Sequence, residues 1–203
     1  GQDRLALLDD AQDAAIGGIE EGAFGVTVGY AKPWESLDEV LEFARAAGKT
    51  DTVYASHIRS EDTHLLTAIG EILEVAQHAD CRVQISHLKT LNRAAWNKLD
   101  TVFAMIDKAV DRGLSVQADR YPYVGWHGGS TNALPPVAYR IKSERGDWEN
   151  LYDEDVEPLI REHLQRMWEE RGGADTLLFC SMGDPQPEVE GKPVANRVEA
   201  GKR

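Results

Sequence analysis

Two copies of one short pattern decide the fold: TVYASHI at residues 52–58 and CRVQISHL at residues 81–88. Each copy is a mostly apolar run that ends in Ser-His and an aliphatic residue, and a basic residue follows it. Runs of this length and composition are typical of strands buried in a parallel sheet. Residues 65–76, between the copies, carry apolar side chains at helical spacing. We therefore predict two successive parallel strands joined by a helix.

The same alternation extends in both directions from this pair. Further strands are predicted over 25–30 and 114–119, and further helices over 5–19, 37–44 and 96–110. The four strand centres fall near residues 28, 55, 85 and 117. This spacing fits either a TIM barrel or a doubly wound sheet. A Gly-x-Gly-x-x-Gly motif follows none of the strands, which weighs against a dinucleotide-binding fold.

The pattern changes after the Pro135-Pro136 pair. Residues 137–203 are predicted to form an insertion that contains a charged amphipathic helix over 156–171 and a short strand over 176–180. Residues 1–136 are predicted to supply the central βα units. The predicted class is therefore α/β, with about four parallel βα units plus an insertion.

Composition excludes several classes of partner. The chain has 203 residues and a formal charge of −13, from 22 Lys and Arg against 35 Asp and Glu. Such an acidic balance argues against nucleic acid or an anionic membrane as the main partner. Two cysteines, Cys81 and Cys180, are too few for a disulfide framework. The acidic first twenty residues and the absence of a long apolar run predict a cytoplasmic location.

The repeated Ser-His places His57 and His87 one βα unit apart, 30 positions along the chain. Equivalent positions on neighbouring parallel strands lie side by side, so both imidazoles are expected at the C-terminal mouth of the sheet. Two converging neutral imidazoles are natural ligands for Zn²⁺ or a similar divalent ion. A single strand-end histidine is more often a hydrogen-bonded structural residue, and the repeated context is what favours the metal site.

Basic residues follow both histidines. Lys89 comes two positions after His87 and is expected on the same side of the strand, where it would bind a substrate carboxylate. A plain position on the rim of the sheet is the alternative. Arg59 bears the same relation to His57, and nearby Glu61 and Asp62 are expected to neutralise it.

The end of the fourth strand offers further polar groups. Asp119 is the one internal candidate for a general base, and Tyr121 and Tyr123 follow it. The glycine-rich loop from Gly125 to Ser130 is expected to approach a ligand closely. An aromatic lid over the core is the alternative reading of this segment.

Several stretches resemble the N-acyl-D-amino-acid deacylases (D-aminoacylases) of the amidohydrolase superfamily. They occur in the family's order along nearly the whole chain, and the two Ser-His strands are the most specific. The matching stretches are GAFGVTVG at 22–29, YASHIRSE at 54–61, VQISHLK at 83–89, ADRYPY at 118–123, ST at 130–131, LPP at 134–136 and EGKPVA at 190–195.

The resemblance implies a partial TIM-like barrel of the metal-dependent hydrolase type that cleaves N-acyl-D-amino acids to a carboxylate and a D-amino acid. It implies one or two zinc ions held in part by His57 and His87, with the other ligands outside this chain. Lys89 would contact the substrate carboxylate, and Tyr123 and Ser130 are further substrate-binding candidates. The general-base Asp is expected downstream.

Two alternatives stay open at this point. One is another hydrolase of the same superfamily, acting on cyclic amides or as a deaminase. The other is a scaffold that has lost its active site. In either case the expected partner is the rest of the barrel, from the same gene product or from a complementary chain. The isolated chain is therefore expected to be inactive.

Overall fold

The computed structural model describes residues 2–30, 36–123, 125 and 133–176. The chain divides into two compact units, Gly1–Pro122 and Tyr123–Arg203. This division lies a little before the boundary after residue 136 that the sequence pattern indicates.

Strands and helices alternate throughout the first unit. In chain order its elements are α1 (Gln2–Glu20), β1 (Gly25–Tyr30), α2 (Leu37–Lys49), β2 (Val53–His57), α3 (Leu65–Ala79), β3 (Arg82–Ile85), a 3₁₀ turn (Trp96–Lys98), α4 (Leu99–Asp111) and β4 (Val116–Ala118). The four predicted strands and the helices between them are confirmed. The start of α2 shows how local sequence sets a boundary, because Ser36 and Glu39 form a reciprocal capping box.

The four strands form one parallel sheet in the order β1-β2-β3-β4. Each strand therefore pairs with the next strand in the chain, without the reversal of strand order that defines a doubly wound sheet. Sequential parallel pairing is the arrangement found in a (β/α) barrel. Of the two architectures left open by the sequence, the described sheet fits the partial TIM-like barrel.

The core of the first unit lies between the sheet and its helices. Tyr54 and Ser56 of β2 are buried, whereas the alternate positions of that strand are only half-buried. Leu65 and Ile69 on the apolar face of α3 are fully buried in the same cluster as Tyr54. Burial of such side chains contributes roughly 1.5–3 kcal/mol each. This packing anchors the helix side of the sheet and leaves the strand ends to carry the chemistry.

The second unit contains two helices and a small core. They are α5 (Pro136–Arg145) and α6 (Glu157–Glu170), with 3₁₀ turns at Glu149–Tyr152 and Ala174–Thr176. Helix α6 was predicted, whereas α5 was not, because its sequence has little apolar periodicity and buries only Ala138 and Ile141. The strand expected over 176–180 falls mostly outside the described residues, and Thr176 itself ends a 3₁₀ turn. Every helix in the described ranges falls short of the length and apolar character needed to cross a membrane.

Candidate metal centre

The two Ser-His motifs end their strands in different ways. β2 runs through to His57, but β3 ends at Ile85, earlier than the sequence predicts. The sheet pairs Ser56 with Ile85, so the two motifs are offset by one residue. His87 then adopts a left-handed backbone conformation with φ of 42°, which is uncommon for a residue other than glycine. This turn brings the His87 ring beside His57 despite the offset.

Asp119, just beyond the end of β4, braces this turn. Its Oδ1 accepts a hydrogen bond from the His87 backbone N–H at 2.6 Å, and its Oδ2 accepts one from the Gln84 amide at 2.8 Å. The Leu88 N–H also donates to the Asp119 carbonyl at 2.9 Å. A strained backbone position of this kind costs on the order of 1–3 kcal/mol, and it persists where its surroundings hold it. Asp119 therefore has a structural role here, and its role as a general base stays a prediction.

The predicted convergence of the two histidines is confirmed. His57 Nδ1 lies 2.9 Å from His87 Nε2, and the ring centroids are 4.5 Å apart in an edge-to-face arrangement. Both rings are partly exposed at the carboxyl ends of neighbouring strands. The two nitrogens face each other at the sheet edge where α/β barrels place their active sites.

Glu61 joins the pair from the loop between β2 and α3. Its Oε1 lies 3.0 Å from His87 Nδ1 and 3.8 Å from His57 Nδ1, and its side chain is only 3% exposed. The Leu91 N–H donates to the Glu61 carbonyl at 2.7 Å, which ties together the loops after β2 and β3.

Sequence reasoning did not assign Glu61 to this site. It placed Glu61 beside Arg59, whereas in the structure Arg59 binds Glu71 of α3, at 3.0 and 3.1 Å from its Nε. The only signal was a carboxylate four positions after a strand-end histidine. An irregular loop has no periodicity from which the direction of that side chain could be predicted.

Lys89 lies on the same side as His87, as predicted. Its Nζ forms an ion pair with Glu61, lies 2.9 Å from His87 Nδ1 and donates to the His87 carbonyl at 3.0 Å. Burial lowers the pKa of Lys89 from its usual value, and the contact with Glu61 partly offsets that effect. The Tyr121 ring lies 5.8 Å from Nζ and borders the same cluster. The ammonium group is thus held in a poorly hydrated position beside the histidines.

These residues fit a divalent metal ion. His57, Glu61 and His87 each offer one ligand atom, and these atoms all lie within 4.8 Å of one another. Imidazole nitrogen and carboxylate oxygen are the donors found at hydrolytic zinc sites. Two nitrogens on one tetrahedral zinc, with bonds of about 2.0–2.1 Å, lie about 3.3 Å apart. The 2.9 Å separation of the histidine nitrogens needs to widen only slightly.

Two further substrate contacts are predicted, Tyr123 and Ser130. Tyr123 belongs to the second unit and is 71% exposed. Ser130 lies outside the described residues. Their proposed contacts with substrate stay predictions.

Two solved structures share this fold. The N-acyl-D-glutamate deacylase of Bordetella bronchiseptica, solved with zinc and a phosphonate inhibitor that mimics the tetrahedral intermediate, is 28% identical with a TM-score of 0.54. The match covers 58% of this chain and 26% of that one. A D-aminoacylase with a binuclear metal centre matches in fold with a TM-score of 0.55 at 23% identity, over 79% of this chain and 40% of its own. The described sheet therefore matches part of the barrel fold of these two enzymes.

Curated relatives narrow the class further. Three enzymes of Alcaligenes xylosoxydans xylosoxydans are similar: an N-acyl-D-glutamate deacylase at 33% identity, a D-aminoacylase at 30% and an N-acyl-D-aspartate deacylase at 32%. The matches cover 67, 62 and 58% of this chain but only 28, 25 and 23% of those enzymes. No family model matches the chain. The chain is thus a relative of the N-acyl-D-amino-acid deacylases and spans about a quarter of their length.

Proposed function

We propose that this chain supplies part of the active site of a zinc-dependent hydrolase that cleaves the amide bond of N-acyl-D-amino acids. The observation that carries the proposal is the meeting of His57 and His87 at the carboxyl ends of two neighbouring barrel strands. The similarity to three deacylases that differ in their D-amino acid supports the substrate class. The free carboxylate and D-amino acid are the expected products.

His57 and His87 would hold the metal ion. Zinc is the proposed ion, as one or two ions, because it is the metal named with the Bordetella bronchiseptica deacylase and suits two imidazoles. When bound, such an ion supplies the electrophilic assistance that amide hydrolysis requires at neutral pH. The left-handed turn at His87 and its Asp119 brace hold one of the two rings in place before any ion arrives.

Lys89 would bind the substrate carboxylate. Its side chain is 11% exposed, so the attraction between its ammonium group and a carboxylate is weakly screened by water. Glu61 already neutralises one side of this charge, and the substrate would approach from another. Tyr123 and Ser130 are proposed as additional contacts that hold the substrate.

The remaining parts of the reaction belong to the rest of the barrel. We propose that a carboxylate outside this chain acts as general base, moving a proton from the attacking water to the leaving amine. The remaining metal ligands would come from the same source. The partner is accordingly the rest of the barrel, from the same gene product or a complementary chain, and we propose a cytoplasmic location.

Activity measurements on the protein encoded by the whole gene test this proposal. Purified with zinc, it should release D-glutamate, D-aspartate or D-methionine from the N-acetyl derivatives, and should leave the L-enantiomers intact. His87→Ala should abolish turnover. His64→Ala is the matched control, because His64 is an exposed residue at the start of α3. The 203-residue chain alone should hydrolyse none of these substrates.

Two results would contradict the proposal. One is the absence of turnover on every N-acyl-D-amino acid by a zinc-loaded whole protein. The other is undiminished activity in the His87→Ala variant. Turnover of cyclic amides or of an amino-substituted base in place of the N-acyl substrates would assign the protein to another branch of the superfamily.

A further inference from the structure

We propose that an exposed apolar face of α4 is the surface on which the next helix of the barrel packs, and that this helix belongs to the part of the protein outside this chain. The face, here called the α4 stripe, consists of Trp96, Leu99, Phe103 and Val110. This inference rests on the barrel architecture in the proposed function and not on its chemistry. It names the surface that the rest of the barrel would cover and the kind of element that would cover it.

The four side chains of the α4 stripe line one side of the helix. Leu99, Phe103 and Val110 follow one another at helical spacings of four and seven positions, and Trp96 lies in the adjoining 3₁₀ turn. The exposed fractions are 53% for Trp96, 37% for Leu99, and 48% for both Phe103 and Val110. Single exposed apolar residues are ordinary, but a contiguous row of large ones marks an interaction surface.

A different side of α4 packs within its own unit. Val102 and Ala109 are buried in the core between the sheet and the helices. Phe103 and Val110 each follow one of these buried residues by one position, which is a rotation of about 100° around the helix. The α4 stripe therefore adjoins the core-facing side without being part of it, and α4 has more apolar surface than its described neighbours use.

Exposed large apolar side chains mark the two ends of the row of helices in the first unit. Helix α1 packs on α2, α2 on α3 and α3 on α4. Apart from the α4 stripe, the exposed ones described in this unit are Leu7 of α1 and Phe24 just before β1. The apolar side chains of α2 and α3, which have a helix on each side, are buried or half-buried. In a barrel every helix has a neighbour on each side, so the α4 stripe corresponds to the side that meets the next helix.

A further βα unit from the rest of the protein fits this position. In the described sheet β4 pairs only with β3, so one such unit would supply a parallel strand for β4 and an apolar helix face for the stripe. The chain spans about a quarter of the length of its curated relatives, which leaves room for that unit outside it. Residues 181–203 contain three prolines and no Leu, Ile or aromatic residue, so they lack the side chains that pack helices together. A second copy of the chain is disfavoured, because each copy carries a charge of −13.

Hydroxyl-radical footprinting with mass spectrometry tests this assignment on the whole protein and on the 203-residue chain. In the chain alone, Trp96 and Phe103 should be oxidised readily. In the whole protein, oxidation of Phe103 should be slower by about fivefold or more, because its exposed fraction would fall from 48% to that of a core residue. His78 is the matched control, because it is an exposed side chain on α3 and should react at the same rate in both samples. The measurement reads neither activity nor zinc, so its result is separate from that of the proposed function.

A pair of substitutions gives a second measurement. Phe103→Lys should lower the melting temperature of the whole protein, because it places a charge where the next helix packs, and should change that of the 203-residue chain little. Ala104→Lys is the matched control, because Ala104 is the next residue of α4, is exposed and lies outside the stripe. It should leave both melting temperatures nearly unchanged.

The proposal would be overturned if Phe103 were oxidised as fast in the whole protein as in the chain alone. Low reactivity in both samples would also overturn it, because the cover would then lie within the chain or, if light scattering shows a dimer, in a second copy. Footprinting needs no variant, so a failure of Phe103→Lys to fold does not prevent the test.

Discussion

The two ends of the same strands, β2 and β3, differ in how their polar residues are used. At the carboxyl ends, His57, Glu61, His87 and Lys89 contact one another as a single network. At the amino ends, Arg82 contacts Asp51, and its neighbour Cys81 is a buried thiol. One end gathers groups that can hold an ion and a substrate, and the other closes the turns between helices and strands.

Tight turns account for the residues at the amino ends. Asp51 and Asp80 follow α2 and α3 with left-handed φ angles of 52° and 48°. Gly48 allows the last turn of α2 to approach α3, because a Cβ there would lie 2.2 Å from the Ala79 carbonyl oxygen. Conformation and close packing therefore select these residues. A polar residue at a strand end therefore indicates a functional site only together with the residues that surround it.

Among substitutions at the two ends of the strands, Gly48→Ala is expected to have the largest effect, which is a loss of stability. The added Cβ meets backbone, which cannot move without shifting α2 against α3, so unfolding free energy should fall by about 3 kcal/mol. Gly70→Ala is the matched control, because Gly70 lies within α3 and has nothing within 4 Å of the added atom. Urea unfolding measures both. Equal stability of the two variants would contradict the role assigned to the amino ends.

Lys89→Met tests whether the network at the carboxyl ends of the strands binds substrate. In the whole protein, KM should rise roughly 10–100-fold, because a charge-assisted hydrogen bond contributes about 1.5–3 kcal/mol. Zinc content should be retained. Lys98→Met provides the control, since Lys98 donates to the Thr63 carbonyl and its loss removes the same charge. Loss of zinc from the Lys89→Met protein, or unchanged kinetics, would show that Lys89 does not bind substrate.

At the amino ends of the strands, ionisation of the Cys81 thiol is expected to have a smaller effect on stability. Burial raises the pKa of its thiol from 9.0 to about 11. The folded state therefore keeps the proton that the unfolded state loses, so this contribution to stability is complete below pH 9 and is lost as the pH rises through 11. Two pKa units correspond to about 2.7 kcal/mol in full, and about 2 kcal/mol of this is lost by pH 11.

Unfolding free energies at pH 8 and pH 11 measure this contribution, with Cys180→Ser in every sample to leave one thiol. Cys81→Ala should lose less stability than the parent over this interval. An identical pH dependence of the two chains would mean that the Cys81 thiol ionises as readily when folded as when unfolded. Lys89 of the carboxyl-end network also loses its proton over this interval, because its pKa is lowered, but it is present in both chains and its effect cancels in the comparison.

The sequence predicts the sheet, its helices and the convergence of His57 with His87, because these depend on periodicity and on a repeated motif. Sequence reasoning missed the early end of β3 and the left-handed turn at His87. Both depend on hydrogen bonds from Asp119, which lies just beyond β4 and 32 residues after His87. The burial of Glu61 was also missed, since it depends on how an irregular loop packs. Helix α5 was not predicted, because its sequence has little apolar periodicity.

Zinc titration of the 203-residue chain, followed by competition with a chelator, tests the central claim most directly. The unaltered chain should bind zinc. His57→Ala or His87→Ala should weaken binding by more than about 100-fold, because loss of a residue that only hydrogen-bonds to a ligand already costs about 10–100-fold and loss of the ligand itself costs more. His78→Ala should bind zinc like the unaltered chain, because this exposed histidine on α3 contacts only the Glu74 carbonyl in the described contacts. Unchanged zinc affinity in the His57→Ala and His87→Ala chains would contradict the account.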